Sequence, residues 1–91
     1  MKKEIWKYTI HPFTVGVIMP EGAEILTVQS QNGVPCIWVL VNPENELEIR
    51  NFEIFGTGQK IACDIDVARK YINTFQMENG SLVFHLFERL N

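Results

Sequence analysis

The sequence predicts an all-β protein: a small antiparallel β-sandwich or partly open barrel of about seven strands, with at most one short helical turn. Apolar and polar residues alternate along most of the chain, in short runs separated by glycine, proline and asparagine. Two Asn-Gly pairs each stand between apolar runs, which is the strongest short-range signal for a β-hairpin. The chain has 91 residues, 46% of them hydrophobic, and we expect one domain over residues 1–91.

The first two strands are predicted at residues 4–10 and 13–19. A turn between them is expected at Pro12, because proline restricts its predecessor and has no backbone N–H to donate. The apolar sides are Trp6, Tyr8 and Ile10 in the first strand, and Phe13, Val15, Val17 and Met19 in the second.

Residues 24–31 and 34–41 are predicted to form a hairpin around Asn32-Gly33, because a type I′ turn needs positive φ at both central positions. The turn fixes which residues face each other. The core face would pair Val28 with Ile37 and Leu26 with Val39. The reverse face would pair Thr27 with Trp38, Gln29 with Cys36, and Ile25 with Leu40.

A second hairpin is predicted from residues 71–77 and 81–90 around Asn79-Gly80. Its apolar face would pair Phe75 with Phe84 and Met77 with Leu82. Its mixed face would pair Thr74 with His85, Gln76 with Val83, and Ile72 with Phe87.

Between the hairpins, residues 42–48 read as a polar loop and residues 49–55 as a strand. Residues 64–70 could form one helical turn capped by Asp64 or Asp66. The weak acidic cluster of the polar loop, Glu44, Glu46 and Glu48, is expected to be solvated.

Charge and hydropathy exclude several classes of protein. The net charge is −3 and the sequence pI is about 5.3, so the chain lacks a basic footprint for nucleic acid. No apolar run approaches the length of a membrane span, and the N-terminal residues do not resemble a signal peptide. We therefore expect a cytoplasmic protein with neither nucleic acid nor a membrane as partner.

The cysteines and histidines give no metal motif. Cys36 and Cys63 sit among apolar neighbours and are expected to be reduced packing thiols. Neither they nor His11 and His85 form a close pair such as CxxC or HxxxH. We predict no metal and no cofactor.

The sequence FGTGQK at residues 55–60 raises the possibility of a phosphate-binding loop. It lacks the third glycine and the helix start of a dinucleotide fingerprint, and it lacks the Gly-Lys-Ser/Thr ending of a P-loop. Two glycines at a strand end more often allow a bulged turn. The alternative is a small anionic ligand held by Gly56, Thr57, Gly58 and Lys60.

Catalytic patterns are equally weak, and we predict no catalytic residues and no enzyme. Ser30 and Ser81 flank hairpin turns, where serine commonly bonds the local backbone. Asp64 and Asp66 could seat a cation or an acid–base pair, although such a pair is more often a solvated cap. An enzyme would require the glycine turn, the two aspartates and His85 to converge in one pocket.

The reverse faces of the hairpins carry a surplus of apolar side chains, which often marks a docking surface. A protein partner or self-association would use this surface, with Trp38 or Phe87 as an anchor. Alternatively, other strands or residues 57–70 cover one of the faces. The predicted interface residues are Ile25, Trp38, Leu40, Ile72, Val83 and Phe87.

Three segments carry a resemblance to a known family: AEILTVQSQNGVPCIWVLVNP, FEIFGTGQ and YINTFQMENGSLVFHLFE. Together with the opening IWKYTI, the chain resembles small proteins of unknown function encoded in bacteriophages and prophages. Relatives often carry a histidine and a proline after the GTG, where this chain has Gln59 and Lys60.

The resemblance implies a phage-derived accessory protein in the cytoplasm of a bacterial host, with no catalytic residue to carry over. From it we expect a non-enzymatic binding module, a homo-oligomer, that occupies a host protein or a small anionic ligand and neutralises a host defence. The alternative is a structural or assembly accessory protein of the phage particle.

Overall fold

The computed structural model describes residues 2–11 and 16–91, and it confirms the all-β prediction. The described residues form seven strands in two antiparallel sheets, which do not close into a barrel. The strands are β1 (Glu4–Thr9), β2 (Val17–Pro20), β3 (Glu24–Gln31), β4 (Val34–Val41), β5 (Leu47–Gly56), β6 (Arg69–Met77) and β7 (Leu82–Arg89).

One sheet has three strands in the order β1-β4-β3, and the other has four in the order β2-β5-β7-β6. β5 and β6 both pair antiparallel with β7, so they run parallel to each other and need a long connection. Residues 57–68 make that connection, and we call them the crossover segment. Within the described residues, no helix is of a length and apolarity to cross a membrane.

The core is an apolar cluster between the two sheets. Alternation placed most of it correctly: Trp6 and Tyr8 pack against the cluster, and Val17 and Met19 are buried. Phe13 and Val15, predicted for the same face, lie outside the described residues. The described core comprises Ile10, Val17, Met19, Ala23, Val28, Ile37, Val39, Val41, Phe52, Phe75 and Leu86.

The first hairpin turns as predicted, with Asn32 at φ 52° and Gly33 at φ 79°. Pairing follows the predicted register as far as Thr27 opposite Trp38. A β-bulge at Leu26 then shifts the ladder, so that Ile25 faces Val39. The predicted pairs of Leu26 with Val39 and of Ile25 with Leu40 are therefore wrong.

The bulge exchanges the roles of two neighbouring residues. An extra residue in one strand reverses the faces of everything beyond it. Ile25 accordingly packs against the core, whereas Leu26 is 43% exposed instead of forming part of it.

The second hairpin repeats this behaviour. Its pairs from Met77 and Leu82 to Thr74 and His85 are those predicted. A bulge at Ile72 then places Tyr71 opposite Phe87, so the predicted pair of Ile72 with Phe87 is wrong. Ile72 packs against the core.

The helical turn predicted at residues 64–70 is also wrong. The segment makes a single turn, in which the Val67 amide donates to the Asp64 carbonyl at 3.1 Å, and Arg69 already begins β6. Pairing with β7 supplies the backbone bonds that a helix would otherwise supply. The short 3₁₀ turn instead lies at Glu78–Gly80, where φ is positive at all three residues.

A buried ion pair closes one end of the core. Glu88 is only 5% exposed, and its carboxylate accepts from both Nε and Nη2 of Arg50. Arg50 Nη1 donates to the Ala23 carbonyl at 2.8 Å. The hydrogen bond from Arg50 to Glu88 raises the pKa of the guanidinium above its ordinary value. Both partners of the pair are therefore hydrogen-bonded.

Candidate functional site

The glycine turn at the end of β5 uses most of its own amides. Gln59 N donates to the Gly56 carbonyl at 3.0 Å, and Gly56 N donates to the side-chain carbonyl of Gln59 at 3.0 Å. Thr57 N donates to Val83 O at 3.1 Å. An anion-binding nest needs several amides that point outward. The predicted site at Gly56, Thr57, Gly58 and Lys60 therefore gains no support, and the turn serves to reverse the chain.

His85 lies at the centre of a chain of hydroxyl groups. Its Nε2 lies 2.8 Å from Thr57 Oγ1, and its Nδ1 lies 2.9 Å from Thr74 Oγ1, which is itself 2.5 Å from the Tyr71 hydroxyl. The Thr57 hydroxyl also donates to the Val83 carbonyl at 3.3 Å, so it accepts from Nε2–H. This network assigns neutral His85 to the Nε2–H tautomer, with Nδ1 accepting from Thr74.

The residues that an enzyme would need do not converge. The turn and His85 do meet, through Thr57, but no hydrogen bond or ion pair in the described residues joins His85 to Asp64 or Asp66. Both aspartates are exposed in the crossover segment. Within the described residues, the turn, His85 and the two aspartates are therefore not joined in one hydrogen-bonded group.

Within the described residues, neither cysteine forms a disulfide or part of a metal-binding group. Cys36 and Cys63 are both free; Cys36 is buried as predicted, but Cys63 is exposed, so the expectation that it packs is wrong. Cys63 lies in the crossover segment, most of whose residues are exposed. Within residues 2–11 and 16–91, no group of three or more His, Cys, Asp or Glu side chains is arranged to hold a metal.

The crossover segment runs over the outer face of the four-stranded sheet. Arg69 holds it there: Nη1 donates to the Ala62 carbonyl at 2.7 Å, and Nε donates to Glu53 at 2.8 Å. The hydrogen bond to Glu53 raises the pKa of the Arg69 guanidinium, which also lies 5.5 Å from the centre of the Phe55 ring. Within residues 57–70, side-chain contacts with this outer face include those of Thr57 with His85 and of Arg69 with Glu53 and Phe55.

The aromatic side chains of this outer face are packed on each other. The Phe87 ring makes edge contacts with Phe55 at 5.8 Å and with Tyr71 at 5.4 Å between centroids. Phe87 is half-buried. Val83, four residues before it in β7, lies on the same outer face. Phe87 and Val83 therefore expose less apolar surface than the alternation in the sequence predicts.

The six predicted interface residues do not form one surface. Val83 and Phe87 lie on the outer face of the four-stranded sheet, whereas Trp38 and Leu40 lie half-buried on the outer face of the three-stranded sheet. Ile25 and Ile72 point inward and pack against the core, as a result of the two bulges. As a single docking surface the set is not supported.

A different set of apolar residues is both exposed and contiguous. Ile18 and Ile49 face each other in the β2–β5 ladder and are 57% and 66% exposed. Leu47, on the same face two residues before Ile49, is 65% exposed. We call these three residues the aliphatic corner. Ile5 opposite Leu40, on the other sheet, is a smaller patch in which only Ile5 is exposed.

Sequence reasoning missed the aliphatic corner, although a signal was present. Ile18 is out of phase with Val17 and Met19, which take the core side of β2. Ile49 is likewise out of phase with Phe52 in β5. An aliphatic residue between two core residues of a strand must face outward.

The rim of the aliphatic corner is acidic. Glu21, Glu44 and Glu46 are exposed, and none of them takes part in an ion pair within the described residues. Glu48 accepts a hydrogen bond from the Gly22 amide at 3.1 Å, which fixes the β2–β3 turn next to the rim. The corner is thus an apolar patch beside unneutralised carboxylates.

The strand edges are less suited to binding a partner than the aliphatic corner is. β2, the edge strand next to the corner, is four residues long and ends in Pro20, which has no backbone N–H. The bulged edges of β3 and β6 lie against each other, where Asn73 Nδ2 donates to Thr27 Oγ1 at 3.5 Å. β1 carries Lys7. Docking by strand addition is disfavoured at these edges.

Comparison with known proteins places the chain in a family without assigning an activity. No curated protein and no solved structure matches it. The model of one family matches residues 1–91. The chain therefore belongs to the family described as "Domain of unknown function (DUF7352)".

Proposed function

We propose that this domain is a non-enzymatic binding module that acts by occupying another protein, with the aliphatic corner as its docking surface. The observation that carries the proposal is the contact between Ile18 and Ile49, each more than half exposed, with Leu47 beside them. Single exposed aliphatic residues are ordinary, but a contiguous group with a polar rim is typical of a protein-binding site.

The chemistry of the remaining surface supports binding rather than catalysis. Both ring nitrogens of His85 are engaged by threonine hydroxyls, and the amides of Gly56, Thr57 and Gln59 are used in hydrogen bonds within the fold. A general base must reach a substrate proton, and an oxyanion or phosphate site must present free donors. Neither requirement is met at these positions.

The biological setting of the proposal rests on the resemblance described above. It is that of a phage-derived protein in the cytoplasm of its bacterial host, where occupying a host factor would neutralise a defence. Co-expression that rescues phage growth on a defended host supports this setting. Co-purification with phage particles would instead support an assembly role.

The proposal is tested by affinity purification with quantitative mass spectrometry, comparing the wild-type chain with Ile49→Glu. A carboxylate in the centre of the corner would have to be buried unpaired, so proteins that dock there should be lost. The expected loss is about 30-fold or more in recovery.

Ile5→Glu is the matched control, because Ile5 is likewise an exposed aliphatic residue but lies in β1, in the other sheet. Circular dichroism would verify that both variants are folded. If Ile49→Glu and wild type recover the same proteins in the same amounts, the aliphatic corner is not the docking surface.

A further inference from the structure

We infer that this domain has a second binding site, which takes a small amphipathic amine: a molecule with an aromatic or aliphatic body and a cationic ammonium group. The site lies at the end of the sandwich where the two hairpins turn, around Gly33 and Glu78–Gly80. Ile54, which lines it, lies about 20 Å along β5 from Leu47 and on the opposite face. The site is therefore separate from the aliphatic corner and does not depend on the proposed function.

The first support is an apolar cavity of about 310 Å³ between the inner faces of the two sheets, which we call the tip cavity. Val34 and Pro35 line it from β4, and Ile54, Phe75 and Phe84 line it from the four-stranded sheet. An apolar cavity of about 150 Å³ is enough to hold a benzene ring, and small-molecule sites begin at about 300 Å³. The tip cavity can therefore hold a group of about the size of two fused rings.

The tip cavity is open to solvent at the β6–β7 turn. Met77 and Leu82 face each other in the ladder and line the cavity, and Leu82 is 46% exposed. Phe75, which lies deeper in β6, is only 3% exposed. Because the exposed fraction rises from the floor of the cavity to its mouth, a ligand can enter without opening the core.

The second support is a polar cleft of about 500 Å³ beside the cavity, which we call the tip cleft. Gly33, Met77 and Glu78 line both spaces, so the cleft begins at the mouth of the cavity. The polar side chains that line it farther out are those of Ser30, Gln76 and Asn79. An apolar space that continues into one with a few polar groups is typical of sites for small molecules with an apolar body and a polar end.

Glu78 determines the sign of the charge that the site prefers. It is the one carboxylate among the described residues that line the two spaces, and none of those residues is lysine or arginine. It is exposed and takes part in no ion pair within residues 2–11 and 16–91. An ammonium group would donate a charge-assisted hydrogen bond to this carboxylate, whereas an anionic group would be repelled. The ligand is therefore a cation, unlike the anion considered for the glycine turn.

The backbone fixes the position of Glu78. Its φ is 52°, in the left-handed region that residues with a side chain rarely adopt. Such strain persists only where the surrounding structure imposes it, and it is frequent at ligand sites. Here the Met77–Leu82 pair ends the ladder beside it, and the Ser81 amide donates to the Glu78 carbonyl at 3.1 Å. Glu78 is thus held at the boundary between the cavity and the cleft.

An NMR titration of the full chain with three simple probes tests the inference. Tryptamine and indole-3-acetate carry the same ring with opposite charges, and ethylamine carries the ammonium group without a ring. We expect tryptamine to bind with a dissociation constant of about 0.1–1 mM and to shift signals of Val34, Met77 and Leu82. Indole-3-acetate should bind about ten-fold more weakly, and ethylamine should cause no saturable shift.

Leu82→Trp tests the cavity, because the larger side chain should fill it from its exposed mouth. Tryptamine binding should weaken about ten-fold or more. Ile5→Trp is the matched control, since Ile5 is an exposed aliphatic residue of the other sheet that lines neither space, and its affinity should equal that of wild type.

Glu78→Gln tests the charge and should reduce the preference for tryptamine over indole-3-acetate about five-fold. Glu24→Gln makes the same change in net charge at the exposed far end of β3 and should leave that preference unchanged. The absence of tryptamine binding up to about 10 mM overturns the inference, as do equal affinities for tryptamine and indole-3-acetate.

Equal weakening by Leu82→Trp and Ile5→Trp, or tryptamine shifts centred on Ile18 and Ile49, also overturns the inference. These outcomes leave the proposed function standing, because the affinity purification compares partners lost through Ile49→Glu and does not use the tip cavity.

Discussion

Glu88 is a charged residue at a position that belongs to the core. It occupies an inward position of β7, two residues after the fully buried Leu86, where alternation calls for an apolar side chain. Arg50, inward-facing on the adjacent strand β5, compensates it with two hydrogen bonds. The carboxylate is thus tolerated inside a small sandwich because its acceptors are occupied.

Glu88→Gln should destabilise the protein by about 3 kcal/mol, because it leaves the half-buried Arg50 without its counter-charge. The measurement is the free energy of unfolding from urea denaturation. Glu53→Gln is the matched control, since Glu53 also pairs with an arginine but is more exposed than Glu88, and its replacement should cost much less.

The double variant Arg50→Met, Glu88→Leu separates the charge from the packing. Replacing both ions by apolar groups of similar size should recover most of the lost stability. Equal unfolding free energies for Glu88→Gln and Glu53→Gln would show that the buried Arg50–Glu88 pair contributes no more to stability than the Glu53–Arg69 pair.

At the scale of elements, the sequence predicts the strand pairing correctly near each hairpin turn and wrongly at the ends of the strands far from the turn. Asn-Gly fixes the register near each turn, and the ladder follows it to Thr27 in one hairpin and to Asn73 in the other. Beyond these points a bulge reverses the faces. Leu26 and Ile72 are ordinary strand residues, and nothing in their identity marks a bulge, which depends on how β3 and β6 meet.

The candidate surface was harder to predict than the fold for the same reason. Assigning Ile25 and Ile72 to the reverse faces assumed an unbroken ladder, and the bulges turned both inward. The partial burial of Phe87 depends on its contacts with Phe55 and Tyr71 on the neighbouring strands, which local patterns do not reveal. Only Ile18 and Ile49 could have been recognised, from their phase against buried neighbours.

Deleting Leu26 tests the bulge directly. Because Leu26 is the extra residue, its deletion should leave Ile25 opposite Val39 and the core intact. Deleting Gln29 should be far more damaging, since Val28 would move opposite Cys36 and leave the core. Thermal unfolding followed by circular dichroism compares the two deletions.

We expect the Leu26 deletion to remain folded and the Gln29 deletion to lose about 3 kcal/mol or more, because Val28 is fully buried. Equal losses of melting temperature in the two deletions would contradict the assignment of Leu26 as the extra residue.

At the scale of the whole molecule, the two sheets are connected asymmetrically. All strand pairs are antiparallel, yet β5 and β6 run parallel on either side of β7, so the crossover segment must travel the length of the sheet. Arg69 holds the middle of the segment, and Asn91 donates to the Asp66 carbonyl near its end. The segment is therefore attached at a few points rather than packed along its length.

Arg69→Met should loosen the crossover segment without unfolding the sandwich. Trypsin cleavage after the exposed Lys60 should become about ten-fold faster, because the bond to the Ala62 carbonyl and the pairing with Glu53 are lost. Mass spectrometry of timed digests locates the cut.

Arg89→Met is the control for this experiment, because Arg89 approaches Glu53 at 3.9 Å and has no bond to the segment. Cleavage at Lys60 that is equally fast in Arg89→Met and Arg69→Met would show that Arg69 does not anchor the segment.

The bulges also bear on how such a chain can change over generations. At Leu26 and at Ile72 the backbone carries one residue that has no counterpart on the neighbouring strand. Chain length and strand pairing are uncoupled at these two places, so a descendant can gain or lose a codon there and inherit the same architecture.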